Sequence, residues 1–369
     1  MSVPAPIPFI DLRPGEDDAA VRAAIGRVLA RGWFVLGPEV EAFEHEFAAA
    51  SGAAFAIGVG TGTDAIALAL RALDIGAGDE VIVPAMTAAF TALAVIAAGA
   101  TPVIVDVEPE TLTMDPHACA VAVTTRTRAI VPVHLYGQPA DMDAIRSVAV
   151  RHSLAIVEDC CQAHLATEGG IAIGTRSEAA AFSFYPTKNL GAFGDGGAVI
   201  TGNEALASRI RQLRNGGQRE RGRHVEAGVN SRLDDLQAAV LRARLPLLAE
   251  WTTRRRALAG RYRQLLPVSV CSIRERDPGH VYHLFPVLAT DRAELQAHLS
   301  AAGIDTMVHY PAALTQQPAF AAFVSHECPV AVSAAGQLLS LPLSPRLSDE
   351  DIVRVADTVA AFAKGHRPA

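Results

Sequence analysis

Three short stretches carry residues whose types and spacing could do chemistry. In "FSFYPTKNLGAFGDGG" (Phe182–Gly197) one lysine, Lys188, stands among apolar, aromatic and glycine residues. Its ammonium either snorkels to the surface or is kept from water, where a lowered pKa turns the amine into a nucleophile. In "LAIVEDCCQAH" (Leu154–His164) an apolar run ends in Glu158 and Asp159. A carboxylate at the carboxyl end of a parallel strand could hold a protonated ring nitrogen; the plain alternative is a helix N-cap. In "IGVGTGTDAIALAL" (Ile57–Leu70), Gly60 and Gly62 permit close backbone approach, and Thr61 and Thr63 add hydroxyls. The helix that follows aims free N–H groups at the turn, which suits a phosphate, although any tight strand–helix connection reads the same way. The GxGxG spacing argues against a dinucleotide fingerprint, and the missing GK[ST] excludes a P-loop.

The elements that must position these residues follow from periodicity. "EVEAFEHEFAAASG" sets Val40, Phe43 and Phe47 on one helical face and stops at Gly52. Short apolar runs then read as strands: "FAIGVG", "EVIVPA", "TPVIVDV", "AIVPVHLYG", "LAIVED", "AAFSFY" and "GAVIT". Nearly continuous apolar strands alternating with helical segments predict a mostly parallel sheet covered on both faces. A long helix from Ser231 is expected to break near Pro246 and resume through "WTTRRRALAGRYRQLL", with its arginines on a solvated face. Beyond it, "VYHLFPVLAT", "DRAELQAHLSAAGI" and "TMVHY" read strand, helix, strand, and a last helix starts after Ser348 as N-cap. The expected organisation is a large α/β domain, residues 1–245, and a smaller C-terminal α+β domain, residues 246–369.

Composition bounds the rest. Half the residues are apolar and the net charge is −7 without a basic run, so neither nucleic acid nor an anionic membrane is an expected partner. No apolar run reaches the ~20 residues of a membrane span, and the N-terminal stretch lacks the pattern of a signal peptide. Five cysteines without paired metal-ligand spacing suit reduced thiols in a cytoplasmic protein and no metal site.

A strand-end acid, a phosphate-binding turn and a lysine on a constrained loop together describe a site for pyridoxal 5′-phosphate (PLP). Lys188 would be the Schiff-base amine, Asp159 the partner of the pyridine nitrogen, and Thr61 to Thr63 the phosphate turn. The chain resembles the DegT/StrS-type PLP-dependent sugar aminotransferases nearly end to end. The likeness runs from "IPFIDL", "GWFVLGPEVEAFE" and "GTGTDAIALALRAL" through "GDEVIVPAMT", "VPVHLYGQPADMDAI" and "VEDCCQAH" to "GVNSRLDDLQAA", "HYP" and "LSLP". The resemblance implies the fold-type I architecture of PLP enzymes and a transaminase that passes through the pyridoxamine form. It also implies Gln162 against the ring hydroxyl, and Gly62, Thr63 and Ser183 on the phosphate. Asn230 would reach the phosphate of a partner subunit in a homodimer with shared sites. Tyr185, His309 and Tyr310 fall where substrate would sit.

The implied substrates are L-glutamate or L-glutamine as amino donor and a nucleotide-linked keto sugar, the 3-keto branch fitting better than the 4-keto. A non-sugar ketone such as a cyclitol is an alternative acceptor; a PLP sugar dehydrase or a non-enzymatic regulator fits less well, since Lys188 is retained. The sequence departs from the family pattern at Ala88, where an aromatic residue usually stands, leaving Met86 or Phe90 to cover the cofactor. It departs also at Leu165, where glycine is common, and at Gly222 and Thr315. Cys160 and Cys161 read as buried spacers, and His283 as a hydrogen-bonded structural residue.

Overall fold

The structure, a computed structural model, describes residues 5–365; the first four residues of the N-terminal stretch searched for a leader lie outside them. Seven strands form one sheet: β1 (Phe55–Val59), β2 (Glu80–Pro84), β3 (Thr101–Val105), β4 (Thr127–Ile130), β5 (Ala155–Asp159), β6 (Ala179–Ser183) and β7 (Gly197–Thr201). They are the seven apolar runs of the sequence. Their order is β1-β7-β6-β5-β4-β2-β3, and β7 alone is antiparallel to its neighbours. The carboxyl ends of the other six therefore share one rim.

Side chains alternate between the two faces, as a strand's period of two requires. The first helices along the chain are α1 (Asp18–Arg31), α2 (Pro38–Ser51), α3 (Gly62–Ala72) and α4 (Ala89–Ala97). Val157, Ala181 and Val199 join one apolar cluster with α3, α4 and a further helix, Glu204–Leu213. Ala180, Phe182 and Ile200 face a second cluster containing Val40, Phe43 and Phe47. Those three are the stripe expected on the helix Pro38–Ser51, which ends at Gly52 with a left-handed φ of 69°. A third cluster joins Ile7 to Tyr262, Phe285, Leu341, Val355 and Phe362, around a small antiparallel sheet of β8 (Cys271–Ser272), β9 (Phe285–Leu288) and β10 (Leu338–Leu341). This is the α/β architecture with a large, mostly parallel sheet that the sequence predicts.

The long helix breaks as expected: Asp235–Arg244, a tight turn over Leu245–Leu247 that contains Pro246, then Leu248–Leu265. Ser348 caps the last helix, its Oγ accepting from Asp351 N at 3.0 Å. Two expectations fail. "TMVHY" is no strand; it makes a single bridge, Met307 to Ser340, on the rim of β10. The arginine-rich face is not wholly solvated, because Arg255 is buried and donates to the carbonyls of Tyr282 (3.2 Å) and Leu343 (2.9 Å). The structure adds a helix over Asp18–Arg31 that the sequence does not announce, since its buried side is only Val21, Ala24 and Val28.

Candidate active site

The six co-directed strands deliver the chemistry-bearing residues to one rim. Asp159 is the last residue of β5, and Ser183 the last of β6. The glycine turn follows β1, and Thr61 N-caps α3 with its Oγ1 accepting from Asp64 N at 3.0 Å. That bond leaves the Thr61 hydroxyl proton and the N–H groups of Gly62 and Thr63 without an intrahelical partner. A Cβ on Gly62 would lie 2.6 Å from Cys161 Sγ and 2.8 Å from Ser183 Cβ. The helix start, the β5 exit and the β6 end are therefore in mutual contact, and only glycine fits between them.

Asp159 is buried and held on both oxygens: Oδ2 accepts from Thr91 Oγ1 (2.8 Å) and Oδ1 from Cys161 N (3.1 Å). A carboxylate offers about four lone-pair positions, so one more donor can be accepted. Neither Thr91 nor its link to Thr87 (2.9 Å) was legible in the sequence, because α4 and β5 meet only in the fold.

Lys188 sits beyond β6 in a turn closed by its own N–H, which donates to Tyr185 O at 2.8 Å. Some of its surface stays accessible, yet the protein packed around the ammonium dominates: burial lowers its pKa from 10.5, while Cys161 and Asp159 pull it back up. The amine is thus partly shielded rather than extended into solvent.

Gln162 bridges the Tyr136 backbone and the Tyr310 side chain. Its Oε1 accepts from Tyr136 N (2.7 Å), and its Nε2 donates to Tyr310 Oη (2.8 Å). Tyr136, in a left-handed conformation at φ 60°, donates its own hydroxyl to His309 O at 2.6 Å. Buried tyrosines in such positions are uncommon. His309 also bonds Ser340 Oγ through Nδ1 at 3.0 Å, and burial, with Lys188 nearby, pushes its pKa down to about 4. Burial and Lys188 likewise push His164 down to about 3; its Nε2 bonds Ser183 O at 2.9 Å. Both imidazoles are neutral near pH 7.

Tyr185 and Asn230 are exposed. Next to Asn230, Ser231 donates to Asp64 Oδ2 (2.6 Å) and accepts from Gly60 N (2.9 Å), so this segment flanks the glycine turn of its own chain. Of the two candidates for covering the Ala88 position, Met86 is wholly buried in the core and Phe90 is 62% exposed on the outer side of α4. Cys160 is buried as expected, whereas Cys161 is part-exposed and lines the Gly62 contact. Leu165 adopts φ 58°, the left-handed region where glycine is unstrained.

Glu158, the other strand-end acid, faces away from this chemistry. Its Oε2 accepts from Gly174 N (2.7 Å) and from His134 Nε2 (2.9 Å); burial pushes its pKa up, and these donors with Ser177 outweigh it and leave it lowered. Cys160 lies close enough to complete a His–Glu–Cys ligand set. Ala140 N, however, donates to His134 Nδ1 at 3.0 Å, so Nε2 keeps the hydrogen it gives to Glu158. That pattern is a hydrogen-bonded brace rather than a metal site.

A family model described as the DegT/DnrJ/EryC1/StrS aminotransferase family matches residues 16–360. The chain belongs to this family. Over 365 residues it is 51% identical to the dTDP-3-amino-3,4,6-trideoxy-alpha-D-glucose transaminase of Streptomyces venezuelae, covering 97% of this chain and 96% of that one. It is 43% identical to the UDP-N-acetyl-3-dehydro-alpha-D-glucosamine 3-aminotransferase of Acidithiobacillus ferrooxidans, covering 97% and 98%. The crystal structure of S. venezuelae DesV in complex with a ketimine intermediate superposes with a TM-score of 0.95 at 49% identity, covering 99% of this chain and 100% of that one.

As a member of the DegT/DnrJ/EryC1/StrS aminotransferases, the protein is a PLP-dependent transaminase. Its own residues fit that cofactor. The Gly62 cradle with the free N–H groups of α3 suits a phosphate, and Asp159 keeps acceptor capacity for a ring N–H. Lys188 offers an amine whose lowered pKa favours the nucleophilic form.

Proposed function

We propose that this aminotransferase moves an amino group from L-glutamate, or L-glutamine, to C3 of a keto hexose linked to dTDP or UDP, in amino-sugar biosynthesis. The observation that carries the reading is the convergence of Lys188, Asp159 and the Gly62 turn on one rim, in a chain whose similar relatives are named for amino transfer at sugar C3. PLP, when bound, supplies a sink for the electron pair of the substrate Cα–H bond. Lys188 would hold the cofactor covalently through its amine, and the same amine could take the Cα proton as a general base. Asp159 would keep the ring nitrogen protonated, and Gln162 would lie against the ring hydroxyl. Thr61, Gly62, Thr63 and Ser183 would hold the phosphate, while Tyr185, His309 and Tyr310 would line the substrate side.

The working unit is a cytosolic homodimer, its bodies divided near residue 245, in which Asn230 reaches the partner's phosphate. Two features support association. Asn230 is exposed in the single chain, and α4 is apolar on both faces, with Phe90, Leu93 and Ile96 left outward. No helix among the described residues is long and apolar enough to cross a membrane. The deciding experiment is turnover of the purified protein on dTDP- and UDP-linked 3-keto and 4-keto hexoses with L-glutamate, the amino product being identified. Amine at C4, or no turnover on any of these sugars, would overturn the C3 assignment.

A further inference from the structure

We infer that His283 positions Lys188, by fixing the side chain of the next residue, Asn189. This rests on Lys188 being the reacting amine. Asn189 and His283 are both buried. Asn189 Nδ2 donates to Val281 O at 3.0 Å, which turns its Oδ1 toward His283 Nδ1, 3.3 Å away. A carbonyl oxygen can only accept, so Nδ1 carries the imidazole hydrogen.

His283 is itself held firmly. Val281 N donates to Gly137 O (2.9 Å) and His283 N to Tyr136 O (2.8 Å), and a Cβ on Gly137 would come within 2.9 Å of His283 N. The turn that pins His283 is also the one whose Tyr136 N–H fixes Gln162. One segment thus sets the registry of two elements of the site, the lysine loop and the Gln162 amide.

The lysine loop needs such an anchor. Its backbone closes on itself through Lys188 N to Tyr185 O and Ala192 N to Phe184 O, both 2.8 Å. Asn189 Nδ2 ties that loop to segment 281–283, and Asn189 Oδ1 is the acceptor left to set its angle. A histidine suits the task because it donates without adding charge beside the amine. Burial, together with Lys188, Arg255, His309 and His164 around it, holds His283 neutral by lowering its pKa well below 6.5.

The test separates the two ring nitrogens. His283→Asn retains an N–H near the Nδ1 position, whereas His283→Gln moves its N–H toward the Nε2 position. In cofactor-free protein, the pH dependence of Lys188 acylation by acetic anhydride, read by mass spectrometry, reports the amine's environment without PLP or sugar. We expect His283→Asn to keep the wild-type profile. We expect His283→Gln, folded by its melting curve, to shift the profile midpoint and lower kcat about tenfold or more, as misplacement of a reacting group does. A wild-type profile in His283→Gln, or an equal shift in both variants, overturns the proposal. Should His283→Gln fail to fold, Asn189→Leu takes its place, with a shifted profile expected and an unshifted one decisive against. Because acylation needs no substrate, failure of the sugar assignment leaves this readout intact.

Discussion

Thr91 donates its hydroxyl to Asp159 Oδ2 at 2.8 Å, across 68 positions of sequence. With Cys161 N on Oδ1, that bond leaves the carboxylate one orientation from which to meet a ring nitrogen. Thr91→Val keeps the buried shape and deletes the donor. A hydrogen bond to a charged group contributes about 1.5–3 kcal/mol, so kcat/KM should fall about ten- to a hundredfold. Thr91→Ser should recover most of the loss. Wild-type kcat/KM in Thr91→Val would remove Thr91 from this role.

Lys188 carries a stability cost with a pH signature. Its folded pKa lies below its usual 10.5, with burial as the largest cause, so between the folded pKa and 10.5 the unfolded chain binds more protons than the folded one. The penalty is complete below the folded pKa and vanishes as pH rises past 10.5. Cofactor-free Lys188→Met should therefore melt higher than cofactor-free wild type at neutral pH, with the gap closing in alkali. The same variant should lose the visible absorbance that PLP gives on Lys188, and all transamination. A gap that widens with pH would contradict the shielded-amine reading.

These two residues mark what a sequence can disclose. Lys188 and Asp159 were legible because chain-local context, an apolar strand leading to a loop, already implies burial and direction. Thr91, Tyr136 and the Asn189–His283 bond were not, since each acts through a contact made only when distant elements pack. The large sheet was readable from seven nearly continuous apolar runs buried on both faces. The helix Asp18–Arg31 was not, because alanine and arginine blur its apolar stripe. "TMVHY" misled because alternation alone cannot distinguish a strand from an extended segment that makes one bridge.

The adjacent pair Asp234–Asp235 makes the same point energetically. Asp234 is exposed and its side chain caps nothing. Asp235 is fully buried and accepts from Gly37 N (2.7 Å) and Glu39 N (3.0 Å), capping the helix Pro38–Ser51 from 198 residues away. Asp235→Ala leaves two N–H groups unpaired and should cost about 2–4 kcal/mol, the sum expected for a lost cap and its buried donors. Asp234→Ala should stay within about 0.5 kcal/mol of wild type, as surface changes do. Urea unfolding of the two variants side by side measures the contrast, and equal stabilities would refute it.

Asn230 supplies the test of shared sites. It is exposed beside Ser231, which bonds Gly60 and Asp64 of its own chain, so a role in cis and a role in trans are both geometrically open. The proposed homodimer requires trans. A chain carrying Lys188→Ala and one carrying Asn230→Ala should each be nearly inactive alone. If Asn230 serves the partner, a mixed dimer has one site with both lesions and one with neither. Activity should then return on subunit exchange, to no more than about half the wild-type value per dimer, since a two-fold dimer has two sites. Were Asn230 to serve its own chain, each site in the mixed dimer would carry one lesion, and mixing would restore nothing. Exchange is verified independently by differently tagged chains co-eluting, so silence after proven exchange assigns Asn230 to its own site. A fully active species eluting as a monomer would defeat the dimer itself.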